Sequence, residues 1–185
     1  MKLLRISPLL LAELMHPEQR YKQLYEEMAQ LCQEQGWGDP FSYARSKEIY
    51  AACALGHTVA DSYSGADAFN QQNDPTEYKS TIAKHCQGAY TGISVQDTWE
   101  EQERYLIEEK IVKYPEHYFN RFESGKLVES WKMPGTAVYA VLLPKIKKDY
   151  ERKRTQRIAG RPAADPRLSA NVCWTEIKKY GTQVI

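Results

Sequence analysis

"GADAFNQQNDPTEYKST", residues 65 to 81, sets two short runs of alternating polarity on either side of a polar bend. "GADAFN" (65–70) and "TEYKST" (76–81) read as strands, and "NQQNDP" (70–75) is rich in turn formers. With the turn centred near Gln72, residues whose numbers sum to 144 face each other. Asp67 then stands across the ladder from Glu77, with Cβ atoms about 4.5–5.5 Å apart. Like charges so opposed destabilise a hairpin, and a cation between them removes the penalty. Two carboxylates on adjacent strands are the hard oxygen ligands that Mg²⁺ takes, and the carbonyl of Tyr78 is a candidate third. Lys79 shares the face of Glu77, because residues two apart on a strand point the same way. A metal that polarises a phosphate and a cation for developing charge are the parts that phosphodiester hydrolysis needs. The simpler alternative is an exposed hairpin whose Glu77 and Lys79 pair on a solvated face.

Outward from this hairpin, residues 18–35 place Tyr21, Leu24, Tyr25, Met28, Leu31 and Cys32 at helical spacing, with Gly36 as the stop. A second helix is expected from Phe41 to Leu55, ended by Gly56. Glu48 lies on it among Ala44, Ala51, Ala52 and Leu55, small neighbours that let a carboxylate approach a sheet closely. "HTVADSY" (57–63) adds a strand before the hairpin, and residues 98–110 return to helix. "HYFNRFE" (117–123) and "KLVESWKM" (126–133) read as strands. "TAVYAVLLP" (136–144), almost free of charge, reads as a further, central strand. "STIAKHCQGAYTG" (80–92) and "GRPAADPRLSAN" (160–171) read as loops. The expected fold class is therefore α/β, a mixed central β-sheet flanked by helices. One domain spans 1–185: N-terminal helices in 1–56, a sheet core over about 57–144, and a basic C-terminal segment, 145–185.

The residues Gly65-Ala66-Asp67-Ala68 … Pro75-Thr76-Glu77-Tyr78-Lys79-Ser80 resemble the motif of the PD-(D/E)XK nuclease superfamily, and most closely its small type II restriction endonucleases. In that family a catalytic Asp leads a hairpin and Glu-X-Lys follows on the next strand. The chain has Ala66 where the motif often has Pro. The resemblance implies a restriction endonuclease-like core with catalytic Asp67, Glu77 and Lys79, assisted by Glu48 from the preceding helix. It implies Mg²⁺ held by Asp67, Glu77 and Tyr78, and double-stranded DNA as substrate. Asp61 and Asp74 are rivals for the leading Asp; Asp61 precedes a Ser-Gly break and Asp74 sits in the turn, so Asp67 is preferred.

Charge supports a polyanionic partner. Net charge is only +1, but Lys145, Lys147, Lys148, Arg152, Lys153, Arg154, Arg157 and Arg161 gather in one run, facing two acids. These residues, with Ser80, Thr81, Lys84 and His85, are the expected DNA contacts. One catalytic set cuts one strand, so a double-strand cut calls for a homodimer. The alternatives are a monomeric nicking or repair endonuclease, and a non-catalytic DNA-binding module. No phosphate-cradling glycine loop is present, which argues against a nucleotide cofactor. No run approaches the ~18 apolar residues of a membrane span. The four cysteines are widely spaced, and the faintly signal-like start is broken by Pro8 and Glu13, so a cytoplasmic location is expected.

Overall fold

The computed structural model describes residues 15–61, 65–159 and 166–185. Helix α1 (Pro17–Glu34) is followed by α2 (Arg45–Leu55), which ends on Gly56 in the left-handed conformation at φ +69°. Strands β1 (Thr58–Val59), β2 (Ala68–Phe69) and β3 (Pro75–Thr81) form an antiparallel meander. Strand β4 (Gly88–Ile93) leaves this sheet. Helix α3 (Trp99–Tyr105) opens on a Thr98–Glu101 capping box and runs into a π-helical turn, Leu106–Lys110. This helical segment returns the chain to β5 (Glu116–Glu123), which lies parallel to β3. A hairpin leads to β6 (Lys126–Pro134), and helix α4 (Gly135–Ile158) follows at once. Strand β7 (Leu168–Val172), helix α5 (Trp174–Tyr180) and strand β8 (Thr182–Gln183) complete the chain.

The main sheet has six strands in the order β1-β2-β3-β5-β6-β8, and β4 pairs with β7 in a second, two-stranded sheet. The fold is thus mixed α/β with a central mixed sheet flanked by helices, as the sequence implies. The hairpin register is also the expected one: Ala68 faces Thr76 and Phe69 faces Pro75. Asn70 closes the turn by accepting the N–H groups of Gln72 and Asp74 on its side-chain oxygen. All four cysteines are free thiols. Among the described residues no helix is long and apolar enough to cross a membrane.

Two cores flank the sheet. The larger packs Phe119, Met133, Leu142, Ile146, Val172 and their neighbours between the sheet, α4 and the β4–β7 pair. The smaller lies under α2, where Ala51 and Ala52 let the helix settle on Ala68, Tyr78, Tyr118 and Phe122. Side chains alternate along a strand, so Tyr78 faces α2 while Glu77 and Lys79 face the larger core.

The stretch 136–144 is not a strand but the first part of α4. Gly135, Val138, Val141, Leu142, Ile146 and Tyr150 are buried at intervals of three, four and one, the period of a helix face on a sheet. A nine-residue apolar run fits either period, and its helical continuation lies in the charged residues beyond it. The strands of the core therefore end at Pro134 rather than near 144, apart from β7 and β8. The loop expectations also fall in part. Residues 88–93 and 168–172, which overlap the ends of the two polar stretches, pair with each other as β4 and β7. The second helix begins at Arg45, not Phe41. The apolar stripe of α1 buries only Cys32; Leu24, Tyr25, Met28 and Leu31 stay exposed.

Candidate active site

Asp67 immediately precedes β2. Its N–H donates to the Thr76 carbonyl at 3.0 Å, one residue out of step with the ladder. Its carboxylate accepts the Tyr78 N–H at 2.6 Å, so the side chain spans the position of Glu77 on the neighbouring strand. The N–H and C=O of one strand residue share an edge, so the Tyr78 carbonyl faces this side too. Glu77 and Lys79, on one face of β3, are joined at 2.5 Å. Glu48 enters from the first turn of α2, held at 3.4 Å by the buried guanidinium of Arg45. Arg45 is fixed in turn by the carbonyls of Trp37, at 2.7 Å, and Ala60.

The electrostatics bind these groups into one unit. Burial and the charges of Glu77 and Glu48 push the Asp67 carboxyl up to about 8, outweighing the Tyr78 N–H and Lys79. Burial, with a smaller contribution from Glu77, raises Glu48 against the pull of Arg45. Burial pulls Lys79 down, but Glu77, Asp67 and Glu48 more than offset it and hold the ammonium above its ordinary value. Three carboxyl groups thus share one lysine and one arginine, and because Asp67 keeps its proton below about pH 8, the third negative charge appears only as that proton leaves.

Behind Lys79 lies a polar network that no motif in the sequence reveals. The Lys79 ammonium sits 4.9 Å over the Tyr90 ring. The Tyr90 hydroxyl meets His117 Nδ1 at 2.8 Å, and His117 Nε2 meets the Ile111 carbonyl at 3.0 Å. A carbonyl only accepts, so Nε2 carries the proton and Nδ1 accepts from Tyr90. Burial pushes His117 down to about 4, which keeps it neutral. Gly88 completes the packing, since a Cβ there would stand 2.5 Å from Phe119 Cε1 and 2.9 Å from Lys79 Cγ. A pocket of about 180 Å³ opens here, lined by Glu77, Lys79, Tyr90, Thr91 and Lys110. Lys110 arrives through the π-helical turn, a form often found at functional sites.

The other expected residues are placed as follows. Asp61 and Asp74 are exposed, and neither approaches Glu77 as Asp67 does. Among the described residues no three His, Cys, Asp or Glu side chains converge on one point, and Glu77 is paired with Lys79. The Ser80 hydroxyl is buried in the sheet and faces inward, not toward a ligand surface. Thr81 caps the following turn through the Ala83 N–H. Lys84 is exposed at the end of that turn, and His85 stacks on Trp174.

The basic run lies on α4 and does not leave a strand. Much of it is engaged within the molecule. Lys145 donates to the Asn171 carbonyl and Glu176, both at 2.7 Å; Lys147 covers Trp99; Arg152 pairs with Asp149. Arg154 donates to the Asp97 carbonyl at 2.6 Å, and Arg157 to Val95 and Asp97. Lys148 is exposed, Lys153 is half-buried and engaged, and Arg161 lies outside the described residues.

No family model matches the chain, and no curated protein matches it.

Proposed function

We propose that the chain is an Mg²⁺-dependent endodeoxyribonuclease of the restriction type, hydrolysing phosphodiester bonds in double-stranded DNA. The observation that carries this reading is the junction of Asp67 with the Glu77–Lys79 pair across the β2–β3 hairpin, with Glu48 brought to the same locus by α2.

The residues fit a divalent cation. Asp67 and Glu77 offer hard carboxyl oxygens and the Tyr78 carbonyl faces the same side, and a cation there would displace the proton that Asp67 keeps below about pH 8. Asp67, Glu77 and Tyr78 would hold the ion. Bound there, Mg²⁺ supplies charge neutralisation at a phosphate oxygen and a more acidic water.

The chain's own residues do the remaining work. The Tyr78 N–H fixes the Asp67 carboxylate, and Arg45 fixes Glu48. Lys79 places a permanent positive charge beside Glu77, where a pentavalent phosphorus would gather negative charge. The Tyr90 ring and Gly88 limit the positions that the Lys79 stem can adopt. Glu48, raised by burial, is suited to take up a proton from the attacking water. One such set cleaves one strand, so a double-strand cut uses two copies of the chain on a twofold-symmetric site.

A purely binding role has less support, because most described cations of α4 are spent on the protein's own acids and carbonyls. The four free cysteines accord with a reducing, cytoplasmic setting. Incubation with supercoiled plasmid tests the proposal. Mg²⁺-dependent linear product, abolished by EDTA, is expected. Open-circle product alone makes the protein a nicking enzyme, and intact DNA at saturating protein and Mg²⁺ ends the nuclease reading.

A further inference from the structure

Beside the carboxylate locus lies a much larger cleft, of about 800 Å³, between α2 and the ends of β3 and β5. Its floor and walls are apolar: Met28, Tyr50 and Ile82 border it, and Phe122 closes the bottom. Ile82 is 78% exposed and Tyr50 43%, unusual for large apolar side chains next to a core. The rim is cationic. Lys47 and Lys84 line it, and neither ammonium has an ion-pair or hydrogen-bond partner among the described residues. The lining's single acid, Glu123, is paired with Arg121 at 3.1 Å. The Arg121 charge is further offset by Glu129, which leaves the two lysines as the free charge of the cleft.

The cleft shares two of its bordering elements, α2 and β3, with the candidate active site. Helix α2 presents Glu48 to the site, and Lys47 and Tyr50 to the cleft. Strand β3 carries Lys79 and leads directly to Ile82. Three residues of strand span about 10 Å, the length of about three stacked nucleotides. An apolar surface with an aromatic ring, bordered by free lysines, is how proteins hold an unstacked base and its phosphates. A fully stacked duplex offers no base face to such a cleft.

We propose that this cleft binds an unstacked nucleotide of a nucleic-acid strand, a few positions from the phosphate that the carboxylate locus would cleave. The base lies against Tyr50 and Ile82, and Lys47 and Lys84 take the flanking phosphates. The choice of ligand rests on the nuclease reading, but binding in the cleft requires neither metal nor cleavage.

The test is anisotropy of a fluorescent single-stranded DNA 12-mer, against a duplex of the same sequence, in EDTA with a salt titration. The wild type is expected to bind the single strand without metal, in addition to the duplex. Ile82→Glu weakens single-strand binding about tenfold or more, and duplex binding less. Lys47→Met with Lys84→Met flattens the single-strand log–log salt slope by about 1.4. Ile82→Ala, which removes an exposed side chain and should leave the unfolding midpoint unchanged, gives a smaller loss in the same direction. Unaltered single-strand affinity in Ile82→Glu and in the double lysine variant overturns the proposal. So does a dimer in sedimentation that Ile82→Glu breaks without loss of DNA affinity, since the cleft is then an interface between copies. Strand binding that responds to these variants, with no plasmid cleavage in Mg²⁺, upholds the cleft and removes the nuclease reading. Cleavage with normal single-strand binding in the variants does the reverse.

Discussion

The Tyr90 ring lies under the Lys79 ammonium at 4.9 Å, and the hydroxyl of that same ring is anchored on His117 at 2.8 Å. The tyrosine thus has two separable parts, a face for the cation and a hydroxyl for the core. Tyr90→Phe keeps the face and orphans His117 Nδ1. It should cost about 1–3 kcal/mol in urea unfolding and leave the cleavage rate near wild type. Tyr90→Leu should lose rate as well. Equal rates in both would remove the ring from any part in placing Lys79.

Gly88 packs so tightly that an added methyl would stand 2.9 Å from Lys79 Cγ and 2.5 Å from Phe119. Gly88→Ala should therefore displace the lysine stem. Cleavage should fall at least tenfold, through kcat and not KM, because the substrate's remaining contacts are untouched. A variant of unchanged kcat would mean that Lys79 has room to spare.

Asp67 gives a signed pH dependence. Its carboxyl is raised from an ordinary 3.8 to about 8, chiefly by burial and Glu77, so the folded chain keeps a proton that the unfolded chain releases. The stability from this group is full below the unfolded value and is lost as pH climbs through the folded one. In EDTA, the unfolding midpoint of the wild type should fall from about pH 5 to about pH 8.5 more steeply than that of Asp67→Asn. Parallel curves would refute the raised value. Because a cation must displace that proton, Mg²⁺ affinity by calorimetry should tighten up to about tenfold per pH unit below 8.

Asp67→Ala and Glu77→Ala should each abolish plasmid cleavage while retaining fold and DNA binding. Lys79→Ala should lose about 10²–10³ in rate with Mg²⁺ still bound, as expected for a group that stabilises developing charge. Glu48→Gln should lose less. Near-normal cutting by Asp67→Ala would end its role as a metal ligand.

On α4, neutralising Arg152, Lys153 and Arg154 together should weaken binding to all DNA alike and flatten the salt slope by roughly 2–3 units, if these side chains exchange their internal partners for phosphates. Arg154 must leave the Asp97 carbonyl and Arg152 must leave Asp149 to do so. An unchanged slope, with a lower unfolding midpoint, would make the run a structural brace.

The hairpin was legible because its information is local. Turn formers, alternation and a sum-of-144 register suffice to pair Ala68 with Thr76 and Phe69 with Pro75, while Asp67 itself slips one residue and bonds Thr76 and Tyr78. The Gly56 stop and the small residues of α2 were equally readable. Tyr90 and His117 were not, because only the parallel pairing of β3 with β5 and the approach of β4 bring them together. The 136–144 stretch was misread because its helical phase is set by Ile146 and Tyr150, beyond the apolar run itself. The pairing of β4 with β7 escaped for a similar reason: each strand is short, and its partner lies far along the chain.

The parallel pairing of β3 with β5 has a consequence for how the site comes into being. Asp67 and Glu77 meet through a turn of a few residues, so their hairpin can close within microseconds of chain release. Glu77 finds its other neighbour, His117, only after the helical segment 99–110 has been wound and laid across, and β4 waits for β7 from much further along. A nascent chain that has reached residue 110 therefore already holds Glu48, Asp67, Glu77 and Lys79, before β5, β6 and β7 exist to enclose them. The enclosure of these four side chains therefore depends on strands that follow them in the chain, and long-range pairing of that kind is the slow part of folding.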